Sequence, residues 1–226
     1  MVDDRSVSAT CLYCAGVPFA SEPDFLVLHA LRIKGFAEPQ VIEASTQLDG
    51  DEVAKFLEVF ETEGLATHRA GRVSGWVLTG DGRAEDERRA AAELDAAGAR
   101  DVVSDAYRRF VALNPEVLQV CTDWQLREGA EGATVNDHRD HEYDREVIAR
   151  LAALDAAAQL LCADLATVLE RFDDYGPRFS TALARVQQGE KDWFTRPTID
   201  SYHTVWFELH ENMLATLGIQ RGEDTA

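Results

Sequence analysis

Two of the four cysteines, Cys11 and Cys14, stand in a CLYC motif whose spacing suits zinc binding or thiol redox chemistry. A structural zinc site takes a further pair of ligands, and the sequence has no second closely spaced cysteine pair. Cys121 and Cys162 fall in separate predicted helices, where free cysteines act as small buried apolar residues. We therefore assign the motif to an N-terminal tail and expect neither a metal nor a cofactor.

A second group of potential metal ligands is the segment NDHRDHEYD at residues 136–144, which contains His138 and His141. Imidazole and carboxylate groups bind transition metals together, and a step of three residues would place both histidines on one helical face. The alternative is a solvated loop whose acidic residues begin the next helix and complement its dipole. We favour the loop.

Aromatic residues and histidines gather near the end of the chain, in the segment DWFTRPTIDSYHTVWFELHE. An aromatic cavity with imidazole groups could hold a small effector, because helical bundles place pockets between their helices. The same stripe is also typical of a hydrophobic core or of a dimer interface, so both interpretations stay open. The candidate pocket residues are Trp193, Tyr202, His203, Trp206 and His210.

Motifs of enzymatic catalysis are missing from the sequence. It contains no GxSxG elbow, P-loop, Rossmann fingerprint or HExxH pair, and its acidic residues lack a spacing that separates a general acid from a general base. We therefore predict a protein without catalytic residues that is not an enzyme.

The composition is that of a globular protein with a strong negative charge. The 226 residues are 46% hydrophobic and carry a formal net charge of -19. No apolar run is long enough to span a membrane, and the first residues lack the cations of a secretory signal, so we expect a cytoplasmic protein with no membrane partner. A charge of this sign repels phosphate and weakens nucleic-acid binding unless a local basic surface overrides it.

Short helices and a hairpin are predicted to follow a tail at residues 1–22. The first helix spans residues 25–36, the second begins near Pro39, and the third begins at the cap Asp49. Residues 65–69 and 73–79 have the pattern of two strands, and Gly71 between them can take the positive φ of a hairpin turn. A further helix ends at Gly98.

The remainder of the chain is predicted to be helical. One helix ends near Pro115, another follows it, and the polar residues 129–144 form a loop. Apolar residues then recur in steps of four and three from Val147 to Phe172, which predicts a long helix packed lengthwise against another. The last helix starts after Pro197 and stops at Gly218. We therefore predict a helical dimerisation and effector domain at residues 99–226.

Residues 23–92 resemble the winged helix-turn-helix of MarR-type bacterial regulators. The likeness rests on a Glu-Gly-Leu helix end, a hairpin with basic tips and a Leu-Thr-x-x-Gly-Arg exit, formed by Glu63, Gly64, Leu65, Arg69, Arg72, Leu78, Thr79, Gly82 and Arg83. The segments YRRFVALNPE, CTDWQLR and DWFTRPTIDSYHTVWFELHE are similar to an actinobacterial family of regulators that implies no defined ligand.

The resemblance implies a mainly α fold: a winged helix-turn-helix domain at residues 23–98 with a small β-hairpin wing, and a C-terminal helical bundle. It further implies a homodimeric transcriptional regulator that binds double-stranded DNA and responds to a small-molecule effector. The third helix would enter the major groove while the wing follows the backbone. The DNA-binding candidates are Arg32, Lys34, Thr46, Gln47, Lys55, Arg69 and Arg72.

The charge of residues 23–92 favours DNA binding in one respect and opposes it in another. Residues 23–92 contain eight cations and thirteen acids, a net charge of -5, whereas residues 93–226 carry -12. The third helix contains Lys55 as its one cation beside several acids, and acids near phosphate reduce the gain from counterion release. The alternative is therefore an acidic winged-helix module that contacts proteins and does not bind DNA.

Overall fold

A computed structural model describes residues 17–129 and 132–220, and the Cys11 and Cys14 motif lies outside these residues. The N-terminal half begins with helices α1 (Pro23–Lys34), α2 (Pro39–Thr46) and α3 (Gly50–Thr62). Prolines start α1 and α2, and the Asp49 side chain caps α3 by accepting a hydrogen bond from the Asp51 N–H.

A small antiparallel hairpin follows, formed by β1 (Ala66–Arg69) and β2 (Gly75–Leu78). Both strands are shorter than predicted, because residues 70–74 form a longer turn in which Gly71 does not adopt the expected positive φ. Ala37 adds a third pairing: its N–H donates to Trp76 O at 3.1 Å, and the Trp76 N–H donates to Ala37 O at 2.8 Å. These elements are compatible with a winged helix.

Helix α4 (Gly80–Ala96) connects the hairpin to the rest of the chain. The Thr79 hydroxyl caps it, accepting from the Gly82 N–H at 3.0 Å and donating to Gly64 O at 2.6 Å. A Cβ on Gly82 would lie 1.9 Å from Leu65 O, so only glycine lets the two backbones approach this closely. The exit from the hairpin is therefore fixed by local sequence.

Helix α5 (Arg100–Gln125) runs through Pro115, which corrects the prediction of a helix end at that residue. An internal proline costs about 3 kcal/mol through its missing N–H and a steric clash. Phe110 and Val117, on either side of the exposed proline, are completely buried, so the packing of one continuous face outweighs this cost.

The segment predicted as a loop is partly a second hairpin, with β3 (Leu126–Gly129) paired to β4 (Gly132–Val135). Helix α6 (His141–Ala166) follows, and Asp140 caps it by accepting from the Tyr143 N–H. The prediction of a loop at residues 129–144 was therefore wrong for Gly129, for β4 and for residues 141–144, and the helix predicted before it was wrong for the other residues of β3. Little of the segment consists of β-branched or aromatic residues, so its strands gave a weak local signal.

Helix α6 packs mainly against α5, in agreement with the predicted lengthwise contact. It ends at Ala166, and Phe172 lies in a short 3₁₀ helix (Glu170–Phe172), so the predicted helix was too long. Phe172 is nevertheless completely buried, because the 3₁₀ turn returns its ring to the same core. Helices α7 (Tyr175–Gln187), α8 (Asp192–Thr195) and α9 (Tyr202–Leu217) follow, and Gly218 ends α9 as expected.

Buried apolar residues form two separate clusters. One lies among α1–α3 and the hairpin and contains Leu28, Ile42 and Leu57. The other, among α5–α9, also takes Leu94 from the end of α4. We call the part around the first cluster, α1–α3 and the hairpin, the N-terminal lobe, and the part around the second cluster, α5–α9, the C-terminal lobe. None of the helices in the described residues is long and apolar enough to cross a membrane.

Phe19, which the sequence assigns to the tail, is joined to the C-terminal lobe by backbone hydrogen bonds. The Phe19 N–H donates to Val168 O and Phe19 O accepts from the Glu170 N–H, both at 3.0 Å. The start of the described chain is therefore attached to the turn that follows α6.

Candidate nucleic-acid interface and lobe contact

Two of the predicted DNA contacts, Arg32 and Lys34, are engaged inside the molecule. Lys34 Nζ lies 2.6 Å from Glu208 Oε1, and Arg32 Nη1 lies 3.7 Å from Glu211 Oε2. Both cationic side chains are 16% exposed, and both partners belong to α9. These cations join α1 to the C-terminal lobe and do not project toward solvent.

Thr46 and Gln47 lie at the end of α2, where their side chains bond to local backbone. Thr46 Oγ1 donates to Ile42 O at 2.8 Å, and Gln47 Nε2 donates to Ala44 O at 2.8 Å. Gln47 has a left-handed φ of 59°, which ends the helix. Both residues line a cleft that faces the C-terminal lobe.

The remaining predicted DNA contacts, Lys55 on α3 and Arg69 and Arg72 on the hairpin, are exposed. Within the part of the chain that the structure describes, no carboxylate forms an ion pair with any of them. Their charges are therefore available to an external anion.

The surface beside these cations is acidic. Glu58 and Glu61 are exposed on α3, and Asp49, Asp51 and Glu63 are exposed at its ends. The hairpin contributes cations and α3 contributes mainly carboxylates, so the exposed surface of the N-terminal lobe has regions of both signs.

A stripe of polar residues on α9 fills the contact between the two lobes, and sequence reasoning missed it. Its members follow helical spacing and are at most 7% exposed: Glu208, Glu211, Asn212 and Thr216. We call this set the α9 polar stripe. Its side chains meet cations and polar groups of α1 and the 3₁₀ turn, so charge complementarity joins the two apolar cores.

Arg171 is the centre of this contact. Its Nε atom lies 2.8 Å from Glu93 Oε2, its Nη2 donates to Thr216 Oγ1 at 2.8 Å, and its Nη1 donates to Asn212 Oδ1. The Arg171 and Glu93 side chains are 4% and 5% exposed. A buried guanidinium is stable only when its donors are matched in this way.

His29 extends the same network into α1. Its Nδ1 lies 2.8 Å from Asp86 Oδ1, and its Nε2 lies 3.0 Å from Asn212 Oδ1. Asp86 is completely buried, and its second oxygen, Oδ2, has no hydrogen-bond partner among the described residues. His29, on α1, therefore joins α4 to α9 through its two ring nitrogens.

Arg178 forms a second charged centre on the C-terminal side. It lies 2.6 Å from Glu208 Oε2 and 3.0 Å from Asp200 Oδ2. Burial opposes its charge, but the carboxylates of Glu208 and Asp200 outweigh that effect and raise the pKa of Arg178. Glu208 thus receives cations from both lobes, Lys34 from one and Arg178 from the other.

The predicted effector-pocket residues are spread through the C-terminal lobe. Tyr202 is completely buried and donates to Asp155 Oδ1 at 3.2 Å, while Trp206 Nε1 donates to Asn114 Oδ1 at 2.9 Å. The ring of Phe110 stacks on those of Trp206 and His210, with centroids 4.1 and 4.9 Å away. Tyr202 and Trp206 thus occupy the core.

The other two pocket candidates are only partly buried. Arg185 lies over the ring of Trp193, 5.3 Å from its centroid. His203 is half-buried, and burial lowers its pKa. None of the cavities described in this structure has any of the five candidates in its wall.

The segment at residues 136–144 organises the start of α6. Asn136 Nδ2 donates to Trp124 O at 3.1 Å and to Asp144 Oδ1 at 2.9 Å, and His138 Nδ1 lies 3.1 Å from the same Asp144 oxygen. Within residues 17–129 and 132–220, no three His, Cys, Asp or Glu side chains are grouped as a metal site would require. Burial raises the pKa of the Cys121 and Cys162 thiols to about 12.

No protein-family model matches this sequence, and comparisons with curated proteins and with solved structures found no significant match.

Proposed function

We propose that the protein is a MarR-like winged helix-turn-helix regulator of transcription that binds double-stranded DNA as a homodimer. The order of α1, α2, α3, hairpin and α4 supports this proposal, as does the pairing of Ala37 with Trp76, which widens the hairpin into a small sheet. In this proposal α3 enters the major groove and the hairpin follows the DNA backbone. The C-terminal lobe supplies the dimer contact.

The observation that carries the proposal is the distribution of ion pairs among the eight cations of residues 23–92. Four are paired with carboxylates: Arg32, Lys34, Arg88 and Arg89. Four are exposed and, in the part of the chain described, have no ion-pair partner: Lys55, Arg69, Arg72 and Arg83. The second group lies on α3, the hairpin and the first turn of α4, where a winged helix contacts DNA.

The set of residues proposed to contact DNA is therefore smaller than the set predicted from the sequence. Lys55 reads the groove, and Arg69 and Arg72 bind phosphates. Arg32 and Lys34 are left out because their charges are already matched by α9. The acidic residues of α3 reduce affinity, and a dimer offsets this loss by doubling the number of cationic contacts.

The test is binding of the full chain to DNA fragments flanking its own gene, measured by fluorescence anisotropy over a salt series. We expect sequence-selective binding whose log–log salt slope falls in magnitude by about 0.9 for each phosphate that R69A/R72A no longer neutralises. The matched control R108A/R185A removes the same charge from exposed positions of the C-terminal lobe and leaves the slope unchanged. Absence of selective binding at low salt would contradict the proposal.

A second candidate function is an acidic module that binds a basic protein, and the exposed face of α3 favours it. Glu58 and Glu61 lie one helical turn apart and are both exposed, and Val59 on the same helix is 42% exposed, so α3 presents carboxylates and an apolar side chain to solvent. The variant E58Q/E61Q separates the two functions. It strengthens DNA binding if α3 faces phosphate, and it leaves DNA binding absent but weakens capture of a basic partner if α3 is a protein-binding surface.

A further inference from the structure

One face of helix α6 is exposed to solvent and carries no charge. Within residues 149–163, all of which the structure describes, the exposed positions are Ala149, Ala153, Ala156, Leu160 and Ala163. We call these five residues the α6 apolar stripe. Leu160 is 66% exposed, more than any other leucine in the described part of the chain. A helix that is apolar on every side is normally covered on every side, so the stripe has the composition of a contact surface.

The spacing of the α6 apolar stripe is that of a contact between two helices. Its members follow one another in steps of four, three, four and three residues, the 3.5-residue repeat that keeps one face of a helix against a second helix. Leu151, Leu154 and Leu161 of α6 already pack in the core of the C-terminal lobe, on the other side of the helix. Alanine side chains are short, so another helix can approach the stripe at the lower end of the usual 8–10 Å axial separation, about 8 Å.

Opposite charges lie at nearly equal distances from the middle of the stripe. Arg150 and Asp164 are on the flank of α6 that faces α5, where they pair with Asp123 and Arg109, both at 2.6 Å. Their side chains are still 42% and 53% exposed, so each can meet a further charge. The sequence midpoint of Arg150 and Asp164 is Ala157, one residue from the midpoint of the stripe itself.

This symmetry matches a second copy of the same helix in antiparallel orientation. In such a pair the same flank of both helices meets, and Arg150 of each copy lies level with Asp164 of the partner subunit. Asp123 and Arg109 extend each match into a row of four charges of alternating sign. A parallel pair would place every charge level with its own copy and would create no such match, and flanking charges of this kind set the orientation of paired helices.

We propose that the α6 apolar stripe binds the same stripe of a second copy of this chain, antiparallel, about a two-fold axis near Ala157. A self-complementary contact of this kind closes after two copies. Helix α7 enlarges the surface, because Gln159 Nε2 donates to Gly176 O and Ser180 Oγ, both at 3.1 Å, and the exposed residues of α7 between Pro177 and Ala184 are uncharged. The inference rests on the homodimer of the proposed function and assigns its contact to α6.

Sedimentation velocity of the full chain without DNA tests the contact. We expect a dimer at micromolar concentration. Leu160→Glu should weaken the dimer at least about 100-fold, because each dimer loses two buried leucine side chains and gains two carboxylates in the contact. The matched control Leu118→Glu places the same charge at an exposed leucine of α5 and should leave the dimer unchanged.

Three outcomes of this experiment would overturn the α6 contact: an unaltered chain that is monomeric, a dimer that survives Leu160→Glu, and equal weakening by the two substitutions. The salt-dependent anisotropy measurement decides DNA binding separately. Selective DNA binding by a chain whose dimer survives Leu160→Glu would therefore refute the α6 contact alone, whereas an α6-dependent dimer without selective binding would refute the DNA proposal alone.

A spin label at the start of α6 decides the orientation. Glu142→Cys is exposed and lies outside the stripe, and Cys121 and Cys162 are buried, so replacing Cys11 and Cys14 by serine leaves one reactive thiol. An antiparallel pair about Ala157 separates the two labels by about 45 Å along the helix, since the rise is about 1.5 Å per residue. A parallel pair separates them mainly by the distance between axes, about 8–10 Å, and the label lengths.

Pulsed electron paramagnetic resonance measures this label distance in the dimer. A value near 45 Å supports the antiparallel contact, and a short distance overturns it. The measurement needs no substitution inside the α6 apolar stripe, so it decides the matter even if Leu160→Glu fails to fold.

Discussion

Helices α9 and α3 both carry glutamates, but they place them in opposite environments. Glu208 and Glu211 on α9 are 6% and 7% exposed and meet cations from the other lobe. Glu58 and Glu61 on α3 are exposed. The same residue type therefore contributes to lobe association in one helix and to surface potential in the other, and the difference depends on burial and partners rather than on local sequence.

The largest loss of stability is expected when Arg171, at the centre of the lobe contact, is replaced. Arg171→Ala leaves Glu93 buried without its cation, and breaking a buried pair in this way costs about 3–5 kcal/mol. Urea unfolding measures this change. Arg108→Ala removes an arginine from an exposed pair and should change the free energy of unfolding by less than about 0.5 kcal/mol. A similar small change in both variants would mean that burial does not separate the two classes of charge.

A smaller loss of stability is expected when Lys34 at the lobe contact is replaced, and Lys55 on α3 is its matched control. Lys34→Ala removes a 2.6 Å ion pair to Glu208 and should lower the free energy of unfolding by about 1–2 kcal/mol, because Arg178 still neutralises that carboxylate. Lys55→Ala, on the exposed face of α3, should stay within about 0.5 kcal/mol. DNA affinity should show the reverse order, with Lys55→Ala the more damaging variant. Equal decreases in stability would contradict this assignment.

The smallest effect on the free energy of unfolding is expected at Asp155, a buried carboxylate that has no ion-pair partner among the described residues. Burial raises the pKa of Asp155 above its ordinary value of 3.8, although Gln159 and Tyr202 donate to it. A raised folded-state pKa means that this group stabilises the fold at low pH and that the stabilisation is lost as pH rises through the folded pKa. Asp155→Asn should therefore be more stable than the unaltered chain at neutral pH, with an advantage that shrinks toward pH 3.8 in acid. Unfolding curves over a pH series test this, and a difference independent of pH would refute it.

Local sequence was sufficient to predict the first elements, because their boundaries depend on nearby residues. Asp49 caps α3, Thr79 caps α4, and Gly64 ends the helix before the hairpin with a positive φ. The ends of these helices needed no knowledge of distant parts of the chain.

The failures arose where distant residues decide the structure. Helix α5 continues through Pro115 because a buried face on both sides of the proline packs against other helices. The α9 polar stripe has the local pattern of an ordinary solvent-facing surface, since the α1 partners of Glu208 and Glu211, Lys34 and Arg32, lie more than 170 residues earlier in the chain. Arg32 and Lys34 have the pattern of surface cations for the same reason. A single sequence contains no local signal for such pairs.

The attachment of Phe19 to residues 168 and 170 has a consequence for synthesis of the chain. These backbone hydrogen bonds close a loop through most of the protein, so they cannot form while the ribosome is still adding the residues between them. Helices α1–α3 and the hairpin share an apolar cluster drawn from residues 27–78, which are close in sequence, so this part can fold early. The segment around Phe19 is then among the last to be fixed, and its protection from hydrogen exchange should appear only after α6 and the turn beyond it have folded.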